Sequence, residues 1–348
     1  FIMFTSGTTG PPKCIVHGAG GTLLEHVKEH RLHSDLKRGD RLFFHTSCSW
    51  MMWNWQLSAL ASGVQLVTYD GPISSVDKLW DVVARERVTV FGTSPPYLRL
   101  SQEAGLLPRE RFDLTELRAI MSTGSVLHDW QYDWVRDQVK AVPLWSISGG
   151  TDIIGCFVLG SPLLPVHAGE SSCRSLAMDV QVWDRGAPTT HNGQLVCANP
   201  FPSRPLGFFG DADGSRFHAA YFAQNPGVWS HGDFARVTPH GGIRILGRCD
   251  GVLNVRGIKV SPGDIARVLL ARPGIRDALV VEQAAEPEPR AIALLVLAQG
   301  VTLDATLVAE LRRELAERLS TAHVPDLFIA VPGTAVDGDA RVALVERG

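Results

Sequence analysis

Between residues 40 and 150 short apolar runs alternate with longer amphipathic ones. RLFFHT (41–46), VQLVTYDG (64–71), VTVFGTS (88–94), RAIMSTG (118–124) and PLWSISGG (143–150) read as strands. WNWQLSALASG (53–63), VDKLWDVVARERV (76–88), PPYLRLSQEAG (95–105) and LHDWQYDWVRDQVK (127–140) read as the helices between them. Strand and helix in this rhythm predict βαβ crossovers and a largely parallel sheet. Ligands of such sheets sit beyond the carboxyl ends of the strands. Thr93-Ser94, Ser122 to Ser125 and Ser148 to Asp152 fall there.

After Asp152 the pattern changes. DVQVW, QLVCAN and GIRILG, spread from about 175 to 248, are short strands parted by turn-rich segments, which predicts a small β-barrel or sandwich. The polar stretch GRCDG (247–251) then opens a third region. Ser261 is placed to cap a helix with Pro262 in its first turn, and Ile265, Val268 and Leu269 form its buried face. DALVVEQ and AIALLVLA form a hairpin across EPEPR, and Leu307, Leu311 and Leu315 mark one stripe of a final helix. The expected fold class is therefore α/β: a βαβ layered domain with a β-barrel-like subdomain, then a small α+β domain. Expected boundaries are 1–160 for the α/β layers, 161–249 for the β-rich part and 250–348 for the last domain.

Composition narrows the function classes. With 348 residues, 45% of them hydrophobic, the chain is long enough for at least two domains with cores of their own. A net charge of −3 without blocks of like charge gives no footing for nucleic acid. The longest aliphatic run, AIALLVLA, is far shorter than a bilayer span. Six scattered cysteines without a C-x-x-C pair fit a reducing compartment, and no secretory signal is visible, so a cytoplasmic location is expected. The chain starts at Phe1 on a strand and lacks an initiator methionine, which reads as the downstream part of a longer protein.

The first strand runs into FTSGTTGPPK (4–13). Gly7 and Gly10 let backbone N–H groups converge on an anion; Ser6, Thr8 and Thr9 add hydroxyl donors and Lys13 a positive charge. That is a phosphate cradle, though not a Walker loop, since no Gly-Lys pair occurs in the chain. His26, Glu29 and His30 spell H-x-x-E-H, with His33 extending the face. Without a third marked ligand, this zinc-protease pattern reads as helical scaffold.

SGTTGPPK resembles the phosphate loop of the adenylate-forming superfamily, which comprises acyl-CoA synthetases, peptide-synthetase adenylation domains and luciferases. GGTDIIG resembles that family's magnesium-site motif, SHGDFAR its ribose-binding aspartate motif and GRCDGVLNVRGIKV its hinge, all in the family's order. PKCIVH, LLEHVKEHRLH, WMMWNW and SISGGTDII look most like the branch that activates acetoacetate, and the likeness covers nearly the whole chain. The resemblance implies that residues 1–249 are part of a large adenylate-forming domain and 250–348 a mobile carboxyl-terminal domain turning near Asp250.

It also implies a ligase that uses ATP, Mg2+ and coenzyme A to convert a short keto acid into acyl-AMP and then a thioester. Thr5, Ser6, Gly7, Thr8, Thr9, Gly10 and Lys13 would hold the β- and γ-phosphates, Thr151 the α-phosphate and Asp152 the metal. Asp233 would accept from the ribose hydroxyls, Arg248 would approach ribose or phosphates, and Gly124 and Ser125 would lie along the adenine. Arg256 and Gly257 would line the pantetheine path, and Lys259 would meet the phosphates where relatives carry arginine. Trp50, Gly149 and Gly150 would shape the acyl pocket, with most of WMMWNW left to the core. Asp339 stands where relatives carry a lysine that neutralises charge during adenylation, with Arg341 two residues on. A non-catalytic relative that binds nucleotide or acyl-adenylate is the competing expectation.

Overall fold

The computed structural model describes residues 1–5, 13–248, 253–255, 258–260, 262–283 and 290–332. It divides into two compact units, Phe1–His231 with Ala235–Ile245, and Gly232–Phe234 with Leu246–Gly348.

In the first unit, β1 (Ile2–Thr5) pairs antiparallel with β2 (Lys13–Val16), which sets Thr5 opposite Lys13. Helix α1 (Ala19–Lys28) follows and runs into a π-helical turn, Glu29–His33. Then come β3 (Arg41–Phe44), α2 (Met51–Ser58), β4 (Gln65–Val67), α3 (Lys78–Arg85), β5 (Val90–Thr93), α4 (Pro95–Glu103), the short α5 (Pro108–Arg111), β6 (Ala119–Ser122), α6 (Asp129–Trp134) and β7 (Leu144–Ser146). β3 to β7 form the expected parallel sheet, in the order β4-β3-β5-β6-β7.

Alternation along these strands divides the core in two, because successive side chains point to opposite faces. Phe43, Phe91, Ile120 and Leu144 pack with Leu79 and Trp80 of α3 and Leu98 of α4. Their neighbours Leu42, Phe44, Val90, Ala119, Met121 and Trp145 pack on the other face with Met51, Met52 and Trp55 of α2. Burial of side chains this large, at about 1.5–3 kcal/mol each, is what fixes the helices to both faces.

PLWSISGG is not one strand. The chain leaves the parallel sheet after Ser146 and forms β8 (Ser148–Gly150), antiparallel to β9 (Gly155–Leu159), with β10 (Cys173–Arg174) on the far side of β9. The break at Ile147 turns the GGTD segment away from the layer it follows.

The β-rich region contains β11 (Val180–Asp184), β12 (Ala187–Pro188), β13 (Gly193–Cys197), β14 (Gly207–Phe208), α7 (Ser215–Tyr221), β15 (Trp229–Val237) and β16 (Ile243–Arg248). Its five-stranded sheet has the order β12-β11-β13-β15-β16, so among the described residues it is open, not the closed ring a barrel requires. Closure is unnecessary because one face is already covered: Val180, Val182, Leu195 and Ala235 pack with Ile15, Phe157 and the aromatic group Phe208, Phe217, Tyr221 and Trp229. β14 joins β2 instead, completing a separate three-stranded sheet.

The second unit holds a hairpin of β17 (Leu253–Val255) and β18 (Ile258–Val260), helix α8 (Pro262–Leu270), strands β19 (Ile275–Gln283) and β20 (Arg290–Leu297), helix α9 (Ala305–Arg318) and β21 (Leu327–Ala330). β19 and β20 pair antiparallel as expected, and β21 adds a parallel edge that the pattern had not marked. Ile265, Val268 and Leu269 are buried against Leu311 and Leu315, with Leu307 packed at the margin, so the predicted stripes meet. Asp304 caps α9 by accepting from the Leu307 N–H at 2.8 Å.

Candidate functional site

β2 delivers Lys13 and the Thr151–Ile154 turn between β8 and β9 delivers Asp152, and their charged groups lie 3.3 Å apart. The Tyr221 hydroxyl of α7 donates to the same carboxylate. Lys13 also sits 4.9 Å from the centre of the Tyr221 ring, where the negative face of the π system attracts a cation. Tyr221 is fixed from behind by stacking on Trp229 at 3.9 Å between ring centres. Lys13 and Asp152, both expected in the site, are thus brought together, and Tyr221 is an addition that nothing in the local sequence marked.

Two histidines brace the turn. His17 Nε2–H donates to the Thr151 carbonyl at 2.9 Å, and burial lowers its pKa to about 4, so the ring is neutral at ordinary pH. His231 Nε2 lies 3.2 Å from the Gly149 carbonyl, and its ring packs edge-on against Phe157 at 4.6 Å. His231 lies two residues before Asp233 in SHGDFAR, so the motif signalled its neighbourhood without naming it.

The Asp152 carboxyl is under opposing influences. Burial pushes its pKa up, but His231, Lys13 and the Tyr221 hydroxyl outweigh that and hold it below the usual carboxylate range. It is an ionised oxygen donor facing an ammonium. At the carboxyl ends of β5 and β6, the hydroxyls of Thr93 and Ser122 are buried without a hydrogen-bond partner among the described residues. Buried hydroxyls are normally satisfied, so orphans at strand ends mark where a polar ligand is accommodated.

The glycines of the turn act differently from one another. A Cβ at Gly149 would stand 1.8 Å from the Gly155 carbonyl oxygen, so glycine is required there for β9 to approach. A Cβ at Gly150 would lie 3.1 Å from His231 and 3.5 Å from Asp152 Oδ2. Gly124, with a φ of +98°, faces the edge of Trp50, whose ring would lie 3.5 Å from a Cβ there. Ser125 beside it is exposed.

Asp233 is buried on β15 and belongs to the second unit, as do Arg248 on β16 and Lys259 on β18. Thr5 ends β1. Ser6, Gly7, Thr8, Thr9, Gly10, Asp250, Arg256, Gly257, Ser261, Asp339 and Arg341 lie outside the described residues.

The H-x-x-E-H residues are engaged in the core behind this turn. His26 Nδ1 meets Ser58 Oγ at 2.9 Å, and its Nε2–H donates to the Ile154 carbonyl. Glu29 accepts from Trp55 Nε1–H at 2.7 Å and from the Cys156 N–H at 2.6 Å. Burial first, and Glu25 second, push the Glu29 carboxyl well above the usual carboxylate range. The His30 ring packs edge-on against Trp55 at 4.3 Å. These side chains anchor β9 and the Ile154 turn to α1.

Among known proteins, the profile of the family described as AMP-binding enzyme matches residues 1–204. The chain is 46% identical over 336 residues to an acetoacetyl-coenzyme A synthetase of Rhizobium meliloti, covering 95% of this chain and 52% of that protein. It is 43% identical over 340 residues to the acetoacetyl-CoA synthetase of Rattus norvegicus, covering 96% of this chain and 51% of that one. The solved acetoacetyl-CoA synthetase from Streptomyces lividans superposes with a TM-score of 0.88 at 41% identity, covering 95% of this chain and 52% of that chain. The chain therefore spans about half the length of the curated relatives it matches. With the family profile over most of its length and the ionised aspartate set beside a lysine at the strand ends, this chain belongs to the AMP-binding enzymes.

Proposed function

We propose that the protein carrying this chain activates acetoacetate, or a keto acid of that size, with ATP and passes the acyl group to coenzyme A. In the first half-reaction a carboxylate oxygen of the acid attacks the α-phosphorus, and the bond to pyrophosphate breaks. In the second, the coenzyme A thiolate attacks the acyl carbon and AMP leaves. The observation that carries this reading is the ionised Asp152 flanked by Lys13 and Tyr221. The likeness to acetoacetyl-CoA synthetases supports the choice of acid.

Lys13 and the 5–10 loop are proposed to take the β- and γ-phosphates, and Thr151 the α-phosphate. Lys13 is 35% exposed and Asp152 17%, and the Tyr221 hydroxyl stays on the carboxylate, so Lys13 can turn from Asp152 to an arriving phosphate. The carboxylate released by that exchange is a hard oxygen donor of the kind Mg2+ takes, and so fits the ion. When bound, Mg2+ would offset charge on the phosphate oxygens. Asp233 and Arg248 are proposed for the ribose, Gly124 and Ser125 for the adenine edge, Trp50, Gly149 and Gly150 for the acyl group. Arg256, Gly257 and Lys259 are assigned to the coenzyme A half-reaction and the phosphates. Free thiols at Cys14, Cys48, Cys156, Cys173 and Cys197 support a reducing, cytoplasmic setting. No helix among the described residues is long and apolar enough to cross a membrane.

Acetoacetate-dependent exchange of labelled pyrophosphate into ATP by the full-length protein tests the proposal. Exchange with another short acid and none with acetoacetate overturns the substrate; no exchange with any acid overturns the reaction.

A further inference from the structure

A cluster of metal-ligating side chains lies away from the Asp152 site. His167 and Glu170 sit in the segment between β9 and β10, and His240 sits in the turn that joins β15 to β16. Nothing in the reaction proposed above uses them.

The backbone on both sides is fixed. Ser171 and Ile243 exchange N–H to carbonyl bonds at 2.9 and 3.0 Å, and Ser171 Oγ–H donates to the Ser146 carbonyl at 2.8 Å. The Ala168 carbonyl accepts from Arg244 at 3.0 Å. The turn closes through Gly241 N–H to Thr238 O and Thr238 N–H to Gly242 O. A Cβ on Gly242 would stand 2.8 Å from Glu170 Oε1, so glycine is what lets the turn reach that carboxylate.

The side chains are close neighbours. One ligand atom from each of the three residues lies within 4.8 Å of the others. The imidazoles of His167 and His240 stack with centres 3.7 Å apart and planes 7° from parallel. Glu170 is buried, and among the described residues its partner within ion-pair reach is His240, at 3.5 Å.

We propose that His167, Glu170 and His240 bind a divalent transition-metal ion of the zinc type, clamping the 167–170 segment to the β15–β16 turn. Two imidazole nitrogens and one carboxylate oxygen are a donor set suited to Zn2+, whereas Mg2+ and Ca2+ prefer all-oxygen shells. Bonds of about 2.0–2.1 Å place ligand atoms roughly 3.3 Å apart in a tetrahedron, a contraction the exposed His240 side chain can supply by rotating.

The test is titration of the purified full chain with Zn2+ and with Co2+ in the absence of nucleotide, read by bound-metal analysis, visible absorption and melting temperature. One equivalent is expected to bind with the absorption of four-coordinate Co2+ and to raise the melting temperature. His240→Ala, an exposed change, and His167→Ala should each weaken binding by roughly 100-fold or more, since disturbing mere outer-shell partners already costs 10–100-fold. Both should abolish the thermal shift, with circular dichroism confirming the fold. Failure to retain the ion after dialysis, or equal binding by wild type and both variants, overturns the site.

Discussion

The Lys13 ammonium lies 3.3 Å from the Asp152 carboxylate across 139 positions of chain. Lys13 enters on a strand of the first hairpin, and Asp152 on a turn that has left the parallel sheet. The Tyr221 hydroxyl closes the group from a helix a further 69 positions along. The arrangement holds an acid ionised beside a cation that is only partly covered. Neither group is essential to the core, which separates their chemical role from stability.

Lys13→Ala and Asp152→Asn should each reduce acetoacetate-dependent pyrophosphate exchange by about 100-fold or more, the scale of removing one charge-stabilising group. Melting temperatures should fall by no more than a few degrees, because a partly exposed pair contributes about 0–1 kcal/mol. Steady-state exchange assays and calorimetry measure both; wild-type exchange in either variant removes that residue from the reaction.

Tyr221→Phe removes a hydrogen bond made to the ionised form of Asp152. Losing it favours the neutral acid, so the Asp152 pKa rises. The acid limb of the exchange–pH profile should move to higher pH, with the alkaline limb unchanged. An unshifted acid limb would mean that Asp152 does not control it.

Gly149→Ala places a methyl group 1.8 Å from a backbone oxygen of β9, and backbone cannot swing aside as a side chain can. A loss of about 3 kcal/mol or more is expected, at the upper end of overpacking costs. Gly124→Ala, on an exposed position with φ of +98°, should cost only about 1–2 kcal/mol. Urea titration of the two variants checks the order.

Stability should pass through a maximum near neutral pH. Burial holds His17 and His26 neutral, with pKa values of about 4 against an ordinary 6.5. Their contribution is complete above 6.5 and is lost as pH falls from there through 4, at about 3 kcal/mol for each site. Glu29 works in the opposite sense: its raised pKa gives stability below the ordinary 4.5 that is lost as pH climbs through the raised value. Glu29→Gln, neutral at every pH, should flatten the alkaline side of the urea-midpoint profile and steepen its rise between about 4.5 and 6.5, where the glutamate and the histidines act in opposite senses. An alkaline side as steep as in the parent chain contradicts the assignment.

Much of the fold was written in local periodicity. Short apolar runs such as RLFF and AIMS marked the parallel strands, and three helix-spaced leucines, 307, 311 and 315, marked the seam of α9. Adjacent residues alone decide such patterns, because the pleat and the helical turn repeat every few positions. Of the motifs, GGTD marked Asp152, which the fold sets beside Lys13, while most of SGTTGPPK lies outside the described residues.

What the sequence left open depended on contacts between distant segments. The end of β7 at Ser146, the open sheet in place of a barrel, and the β21 edge each follow from which surface was already covered. The same holds for H-x-x-E-H, whose residues became struts because Trp55, Ser58, Ile154 and Cys156 came to meet them. Tyr221 carries no motif and His17 only closes PKCIVH; Tyr221 meets Asp152 and His17 the Thr151 carbonyl because β2 and α7 pack around β9. The residue types were given by the chain, and their protonation and partners were decided by the space the folded core left them.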